Sequence, residues 1–318
     1  MKKTTSLLAS LAFAAYAAPS AASCGSAFCV LNTMWSTQGV PSDPGTVRLD
    51  LRYEYVDQKE LRSGRHRIAA EDDTSDTLEQ RTLNRNWLTT IDYAYSKNWS
   101  FTAQLPVVNR SHSHIADPTG AATEENWNFT KVGDARVLGT YRVPSEKNPL
   151  VSYGLTFGVK LPTGDYRVQN SDGAVAERAL QPGTGSTDLI LGAFYSGAAL
   201  TSEASWWVQA LVQEAVATKD EFRPGNQYQL NLGYRQPFAH DLRGLLQLNT
   251  LVKNRDSGAE AEPDLSGSTT VFVSPGLSWS ATHDFELYGF VQLPVYRYVN
   301  GVQLSASRAY VIGASMRF

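Results

Sequence analysis

The sequence predicts an all-β protein, a transmembrane up-and-down antiparallel β-barrel of about 12 strands. Three features predict it: long segments in which apolar and polar residues alternate, gaps between them that are alternately long and short, and a last alternating segment that ends in phenylalanine. A hydrophobic content of 42% and a mean hydropathy of −0.29 exclude a disordered chain and a bundle of membrane helices.

Residues 1–22 are predicted to be a secretory signal peptide. A basic start at Lys2 and Lys3 precedes an apolar stretch and small residues that suit signal peptidase. A lipoprotein site at Cys24 is the alternative, although the usual leucine is missing. Cleavage removes two lysines from a chain of net charge −3, so no basic patch remains that would favour nucleic acid as a partner.

The first predicted strand shows the repeated pattern most clearly. Val47, Leu49 and Leu51 alternate with Arg48 and Asp50, which gives one apolar face and one charged face. Most such segments run ten to fourteen residues, long enough to cross a membrane at a tilt. The predicted strands lie near 46–57, 83–95, 99–110, 132–143, 150–161, 187–197, 204–215, 226–237, 243–253, 268–280, 284–295 and 303–318.

The gaps between these segments alternate between long and short. Gaps after odd strands are mostly long, as at 58–82, 111–131 and 162–186, whereas gaps after even strands are short, as at 96–98 and 281–283. Barrels of the outer membrane of Gram-negative bacteria have short periplasmic turns and long outer loops. The alternation of gap lengths therefore predicts that the protein lies in the outer membrane of a Gram-negative bacterium, surrounded by outer-membrane lipid and lipopolysaccharide.

The C-terminus carries a further signal. Tyr310, Ile312, Ala314 and Met316 alternate down to a terminal Phe318. This pattern resembles the signature that the outer-membrane assembly machinery recognises in its clients. We therefore expect Tyr310 and Phe318 to act as an assembly signal.

Several segments resemble a family of outer-membrane barrels named for the phenol-degradation meta-pathway, which are transporter- or porin-like. The resemblance implies a barrel fold and a role related to transport, but it assigns no substrate-contacting residue. The segments that carry it are LPVVNR (105–110), GDARVLGTYR (133–142), FGVKLPTGD (157–165), LQPGTGSTDLILGAFY (180–195), SPGLSW (274–279) and VQLPVYRYVNG (291–301).

If the apolar residues of each strand face lipid, the residues that alternate with them face the lumen. Charges of both signs fall on neighbouring strands, which suits either a salt-bridged filling or a narrow polar channel, and no sign dominates. The predicted lumen-lining residues are Arg48, Asp50, Arg52, Glu54, Asp92, Asp134, Arg136, Lys160, Asp188, Arg235, Lys253 and Glu286.

Residues 23–45 form a predicted N-terminal segment that sits at the periplasmic mouth or plugs the lumen, before the barrel at 46–318. Its Cys24 and Cys29 are the only cysteines, and we expect them to form a disulfide. A soft-metal or redox site is the alternative, since two nearby thiolates suit such ions. Unpaired thiols or a lipidated Cys24 also remain open.

No catalytic residue, cofactor or resident metal is predicted, and we expect no enzyme. The histidines His66, His112, His114 and His240 fall in predicted loops. His112 and His114 could together bind a metal, but we expect these two imidazoles to be solvated. Acidic pairs such as Glu124-Glu125 are interpreted as loop solvation.

The preferred function is a passive channel for small compounds, hydrophobic ones included. The alternative is a non-channel barrel that presents the Cys24–Cys29 segment to a periplasmic redox or metal-handling partner. A lipid hydrolase, which would depend on His112 and His114, is the third class considered.

Overall fold

The computed structural model describes most of the chain. The signal peptide and the Cys24–Cys29 segment lie outside the described residues, so the predictions made for them stay predictions. Among the described residues, no helix is long and apolar enough to cross a membrane. The described residues are 43–318 without Thr74, Ser75, Thr119, Thr201 and His240.

Thirteen antiparallel strands and two short 3-10 turns make up the described fold. The turns are Ala70–Asp72 and Pro263–Leu265. The strands are β1 Val47–Gly64, β2 His66–Arg67, β3 Thr77–Ala94, β4 Trp99–Ala116, β5 Thr123–Val132, β6 Ala135–Pro144, β7 Val151–Leu161, β8 Thr187–Ala198, β9 Ser205–Ala217, β10 Gln227–Pro237, β11 Leu242–Lys253, β12 Ser268–Ser280 and β13 Phe285–Arg317.

The sheet closes on itself because β13 pairs with both of its neighbours. Its first half pairs with β12 and its second half with β1, where Leu49 faces Met316. The chain reverses near Gly301, whose φ is +60°. At the other end of this hairpin, the Arg317 N–H donates to the Asp284 carbonyl at 2.8 Å.

Eleven strands therefore make twelve crossings of the barrel wall, because β13 crosses twice. The other two strands add no crossing. β2 pairs only with the tip of β1, and β5 continues the line of β6 along the same neighbour, β4. The prediction of an up-and-down barrel of about 12 strands is confirmed.

The barrel is apolar outside and polar inside, which reverses the arrangement of a soluble protein. Large apolar side chains such as Trp87, Ile91 and Leu155 are exposed on the outer face, whereas Asn84 and Gln209 are buried within. In lipid, a closed sheet leaves no backbone group without a partner, and alternate residues divide between lipid and lumen. This is the arrangement of a transmembrane β-barrel.

Aromatic rings gather at the short-turn end of the outer face. The Trp99 and Tyr141 ring centroids lie 4.9 Å apart, and those of Tyr195 and Trp206 lie 5.2 Å apart. Amphipathic rings favour the boundary between hydrocarbon and water, so this rim marks one edge of the apolar belt.

The other edge of the belt lies well before the strands end. On β4 the outward side chains are apolar up to Val107 and then become Asn109, Ser111 and Ser113. On the neighbouring strands, Arg81 Nε donates outward to Asp57 Oδ1 at 2.7 Å. The strands therefore extend past the lipid on the long-loop side.

This extension corrects the predicted loops 58–82 and 111–131. Most of both ranges is strand: β1 runs to Gly64, β3 begins at Thr77, and β4 and β5 share a ladder. In these parts of the strands the outward residues are polar as well as the inward ones. A prediction that depends on an apolar face therefore ends each strand too early.

Candidate functional site: the barrel lumen

Eleven of the twelve predicted lumen residues lie at inward positions of their strands, and the twelfth, Asp134, lies between β5 and β6. Seven of the twelve are buried, and the other five are half-buried. The buried ones are Asp50, Arg52, Glu54, Asp92, Asp134, Lys160 and Asp188; the half-buried ones are Arg48, Arg136, Arg235, Lys253 and Glu286. Whether they line a conducting path stays a prediction.

The short-turn end of the lumen is tightly packed. Tyr288 Oη lies 3.0 Å from both carboxylate oxygens of Asp50, and Arg235 pairs with Glu286 at 3.3 Å. An apolar cluster fills the space beside them. Its members are Trp207, Leu245, Tyr288, Phe290 and Val311. This cluster could not be predicted from the alternating pattern, because its apolar residues stand at inward positions where the pattern predicts polar ones.

Asp134, Lys160 and Asp188 form a buried charged cluster in the middle of the wall. Lys160 Nζ lies 3.0 Å from Asp134 Oδ2 and 3.2 Å from Asp188 Oδ2. Asp134 also accepts backbone N–H groups from Gly164 at 3.1 Å and Thr184 at 2.9 Å. A carboxylate with several N–H donors and an ammonium partner is a strong anchor in a site of low dielectric constant.

This cluster joins three of the segments that carry the family resemblance. GDAR contributes Asp134, VKLPTGD contributes Lys160 and Gly164, and PGTGSTD contributes Thr184 and Asp188. The backbones of Gly164 and Gly183 lie so close together that a Cβ on Gly164 would be 2.8 Å from the Gly183 Cα. Both ends of loop 162–186 are therefore fastened to Asp134.

Loop 162–186 folds into the outer end of the barrel. Its Val168, Ala176 and Leu180 pack in one apolar cluster with Val108 and Trp127 of the wall. The Leu180 carbonyl accepts a hydrogen bond from Arg110 Nη1 at 2.5 Å. The loop therefore narrows the outer mouth of the barrel.

A cavity of about 180 Å³ remains inside the barrel below this loop. Its apolar part includes Leu138, Ile190 and Leu211, which pack together on the inward face. Cationic groups outnumber carboxylates in its lining by six to three. The cations are Arg52, Arg110, Arg136, Lys160, Arg178 and Lys253, and the carboxylates are Glu54, Asp134 and Asp256.

Pairing within the cavity leaves one arginine exposed to a solute. Arg52 pairs with Glu54 at 2.6 Å and Lys253 with Asp256 at 2.9 Å. Arg136 has no hydrogen bond or ion pair in the part of the chain that the structure describes. Its guanidinium is the lumen charge most available to a passing ion.

His112 and His114 are not solvated loop residues, which corrects the sequence-based expectation. Both lie on the inward face of β4, and both are buried. Their imidazoles are 3.1 Å apart at the closest nitrogens, beside Glu79 and Glu125. His66 is exposed, whereas His240 lies outside the described residues.

No family model and no curated relative matches this chain. Among solved structures, it is similar to the crystal structure of an outer membrane channel from Pseudomonas putida F1. That likeness has a TM-score of 0.66 at 15% sequence identity and covers 88% of this chain and 97% of the channel.

More distant similarities are with the KdgM porin and the NanC porin. The KdgM porin matches with a TM-score of 0.45 at 9% identity, over 85% of this chain and 99% of that porin. The NanC porin matches with a TM-score of 0.44 at 12% identity, over 84% and 98%. The first of these likenesses shows that the chain shares the barrel fold of that channel.

Proposed function

We propose that the protein is a passive outer-membrane channel for small organic anions that carry an apolar group. The cavity, with its excess of cationic side chains and its apolar patch, is the observation that carries this proposal. A channel needs a polar path, and fixed charges along that path select the permeating ion by its sign.

The arrangement on β6 supports the solute class. Arg136 and Leu138 are two residues apart on one strand, so both side chains face the lumen. A carboxylate could meet Arg136 while its apolar part meets Leu138, Ile190 and Leu211. This chemistry agrees with the sequence-based prediction of small compounds, hydrophobic ones included, and with the family resemblance to phenol meta-pathway barrels.

The charge of Arg136 can be tested by electrophysiology. A unit charge about 8 Å from a permeating ion contributes on the order of 2 kcal/mol at an effective dielectric constant of about 20. We therefore expect single channels in planar bilayers to prefer chloride and benzoate over potassium, as measured by reversal potentials in salt gradients. Arg136→Gln should lower that preference at least several-fold.

Arg81→Gln is the matched control, because Arg81 lies on the outer face and pairs with Asp57. It removes the same charge but should leave the reversal potential unchanged. A barrel that assembles but conducts no ions, or one that prefers cations, would contradict the proposed function.

A further inference from the structure

Five titratable side chains converge at the outer end of the barrel, above the apolar belt. His112 and His114 point inward from β4, with Glu79 on β3 and Glu125 on β5. Glu177, on loop 162–186, approaches them from inside the barrel. Four of these groups belong to the wall and one belongs to the loop.

The candidate ligand atoms lie close together, at spacings that reach from that of a coordination sphere to somewhat longer. Ligand atoms of Glu79, His112 and His114 all lie within 4.8 Å of one another. His112 Nε2 lies 3.1 Å from His114 Nδ1, which in turn lies 3.9 Å from Glu177 Oε1. Ligands about 2.1 Å from a tetrahedral zinc ion are separated by about 3.4 Å.

One nitrogen of each imidazole already has an oxygen partner. His114 Nε2 lies 3.3 Å from Glu125 Oε2, and His112 Nδ1 lies 2.9 Å from Thr82 Oγ1. A histidine that binds a metal usually hydrogen-bonds through its other nitrogen to a carboxylate or another oxygen, which fixes the ring. The other two nitrogens, His112 Nε2 and His114 Nδ1, face each other, and Glu177 lies beside His114 Nδ1. Glu79 Oε2 lies on the other side of the His112 ring, 3.8 Å from Nδ1.

Glu177 is the second, independent sign of a cation. Its side chain is buried, and neither carboxylate oxygen has a hydrogen-bond partner among the described residues. Burial, together with the negative charges of Glu79, Glu262 and Glu125, raises the pKa of Glu177 well above its usual range. A buried carboxylate without hydrogen bonds is costly unless a positive charge neutralises it.

We propose that the His112 Nε2, His114 Nδ1, Glu79 and Glu177 side chains bind a divalent transition metal ion, with zinc the best fit. Two imidazoles select a borderline ion such as Zn²⁺ over Mg²⁺ or Ca²⁺, which prefer oxygen ligands only. The ion fastens loop 162–186 to the wall, because Glu177 is the only loop residue among the ligands. This site does not depend on the proposed channel function.

The test is metal binding to the full chain in detergent, after treatment with a chelator. Co²⁺ is the probe, since its visible absorption reports tetrahedral coordination, and Zn²⁺ is the competitor. We expect one saturable Co²⁺ site that Zn²⁺ displaces. His114→Ala should weaken binding on the order of 100-fold, and Glu177→Gln by about tenfold or more.

Two controls distinguish metal binding at this site from binding by the cysteines or by another histidine of the chain. His66→Ala changes an exposed histidine at the tip of the barrel and should leave the affinity unchanged. Cys24→Ser/Cys29→Ser removes the other metal candidate and should also leave the site intact. Retention of the heat-modifiable folded band in gels shows that each variant has assembled.

Glu177→Gln also gives a readout that a structural role would not. The substitution keeps the size of the side chain but removes a ligand oxygen, so Zn²⁺ should raise the unfolding temperature of the unaltered protein more than that of the variant. The proposal is overturned if the chain binds no Co²⁺ saturably, if binding is lost only in the double cysteine variant, or if Glu177→Gln leaves the affinity unchanged.

Discussion

Asp134 holds the two ends of loop 162–186 together more directly than any hydrophobic contact does. It accepts hydrogen bonds from the backbone at Gly164 and Thr184 and pairs with Lys160. The alternation of residues could predict that Asp134 and Lys160 point inward. It could not predict that they meet across a loop of 25 residues, because that contact depends on how the loop folds back.

Asp134→Asn should release this loop. Hydrogen bonds to a charged acceptor contribute about 1.5–3 kcal/mol each, so losing even one should raise the open population of the loop about tenfold or more. Because Arg178 lies on the loop and is half-buried, trypsin should cleave after it correspondingly faster. Asp172→Ala, an exposed carboxylate on the same loop, is the control, and equal cleavage rates in both variants would contradict this role.

The strands β1, β3 and β4 are longer than the membrane requires, and their excess length lies on the long-loop side, where β5 pairs with β4. The sequence predicted every crossing of the wall, since each has a continuous apolar parity. It missed the extension, where outward positions such as Ser113 are polar. The buried His112 and His114 were missed for the same reason: a strand polar on both faces looks like a loop.

This extension can be mapped by cysteine labelling in whole cells, in a background with Cys24→Ser and Cys29→Ser. Ser113→Cys, outward on β4 above the belt, should react with a membrane-impermeant maleimide. Ala103→Cys, on the same parity within the belt, should stay unlabelled because lipid covers it.

Lys147→Cys, in the short turn between β6 and β7, fixes the orientation of the barrel. It should be labelled only after the outer membrane is permeabilised. Labelling of intact cells at Lys147→Cys but not at Ser113→Cys would mean that the barrel has the opposite orientation.

At the scale of the whole molecule, the last residue both completes the ladder and carries the predicted assembly signal. The backbone of Phe318 exchanges two hydrogen bonds with Val47, at 2.8 and 3.2 Å. Its ring lies on the outer face, 66% exposed, so the ladder makes no use of it. The two roles can therefore be separated by one substitution.

Phe318→Ala keeps both backbone hydrogen bonds and removes only the ring. If the ring is read during assembly, the amount of folded barrel in the outer membrane should fall several-fold. Refolding of the same variant from denaturant into detergent should proceed as in the unaltered protein. A loss of folding in detergent as large as the loss in cells would show that the ring is structural.

The pairing of β1 with the second half of β13 also determines when the barrel can close. The first strand to enter the periplasm finds its final neighbour only when the last strand arrives, because Leu49 pairs with Met316. Until then the exported chain carries two unpaired strand edges and a surface of bare aromatic rings, which favours aggregation. We therefore expect the chain to be most prone to aggregation before β13 pairs with β1 and the barrel closes.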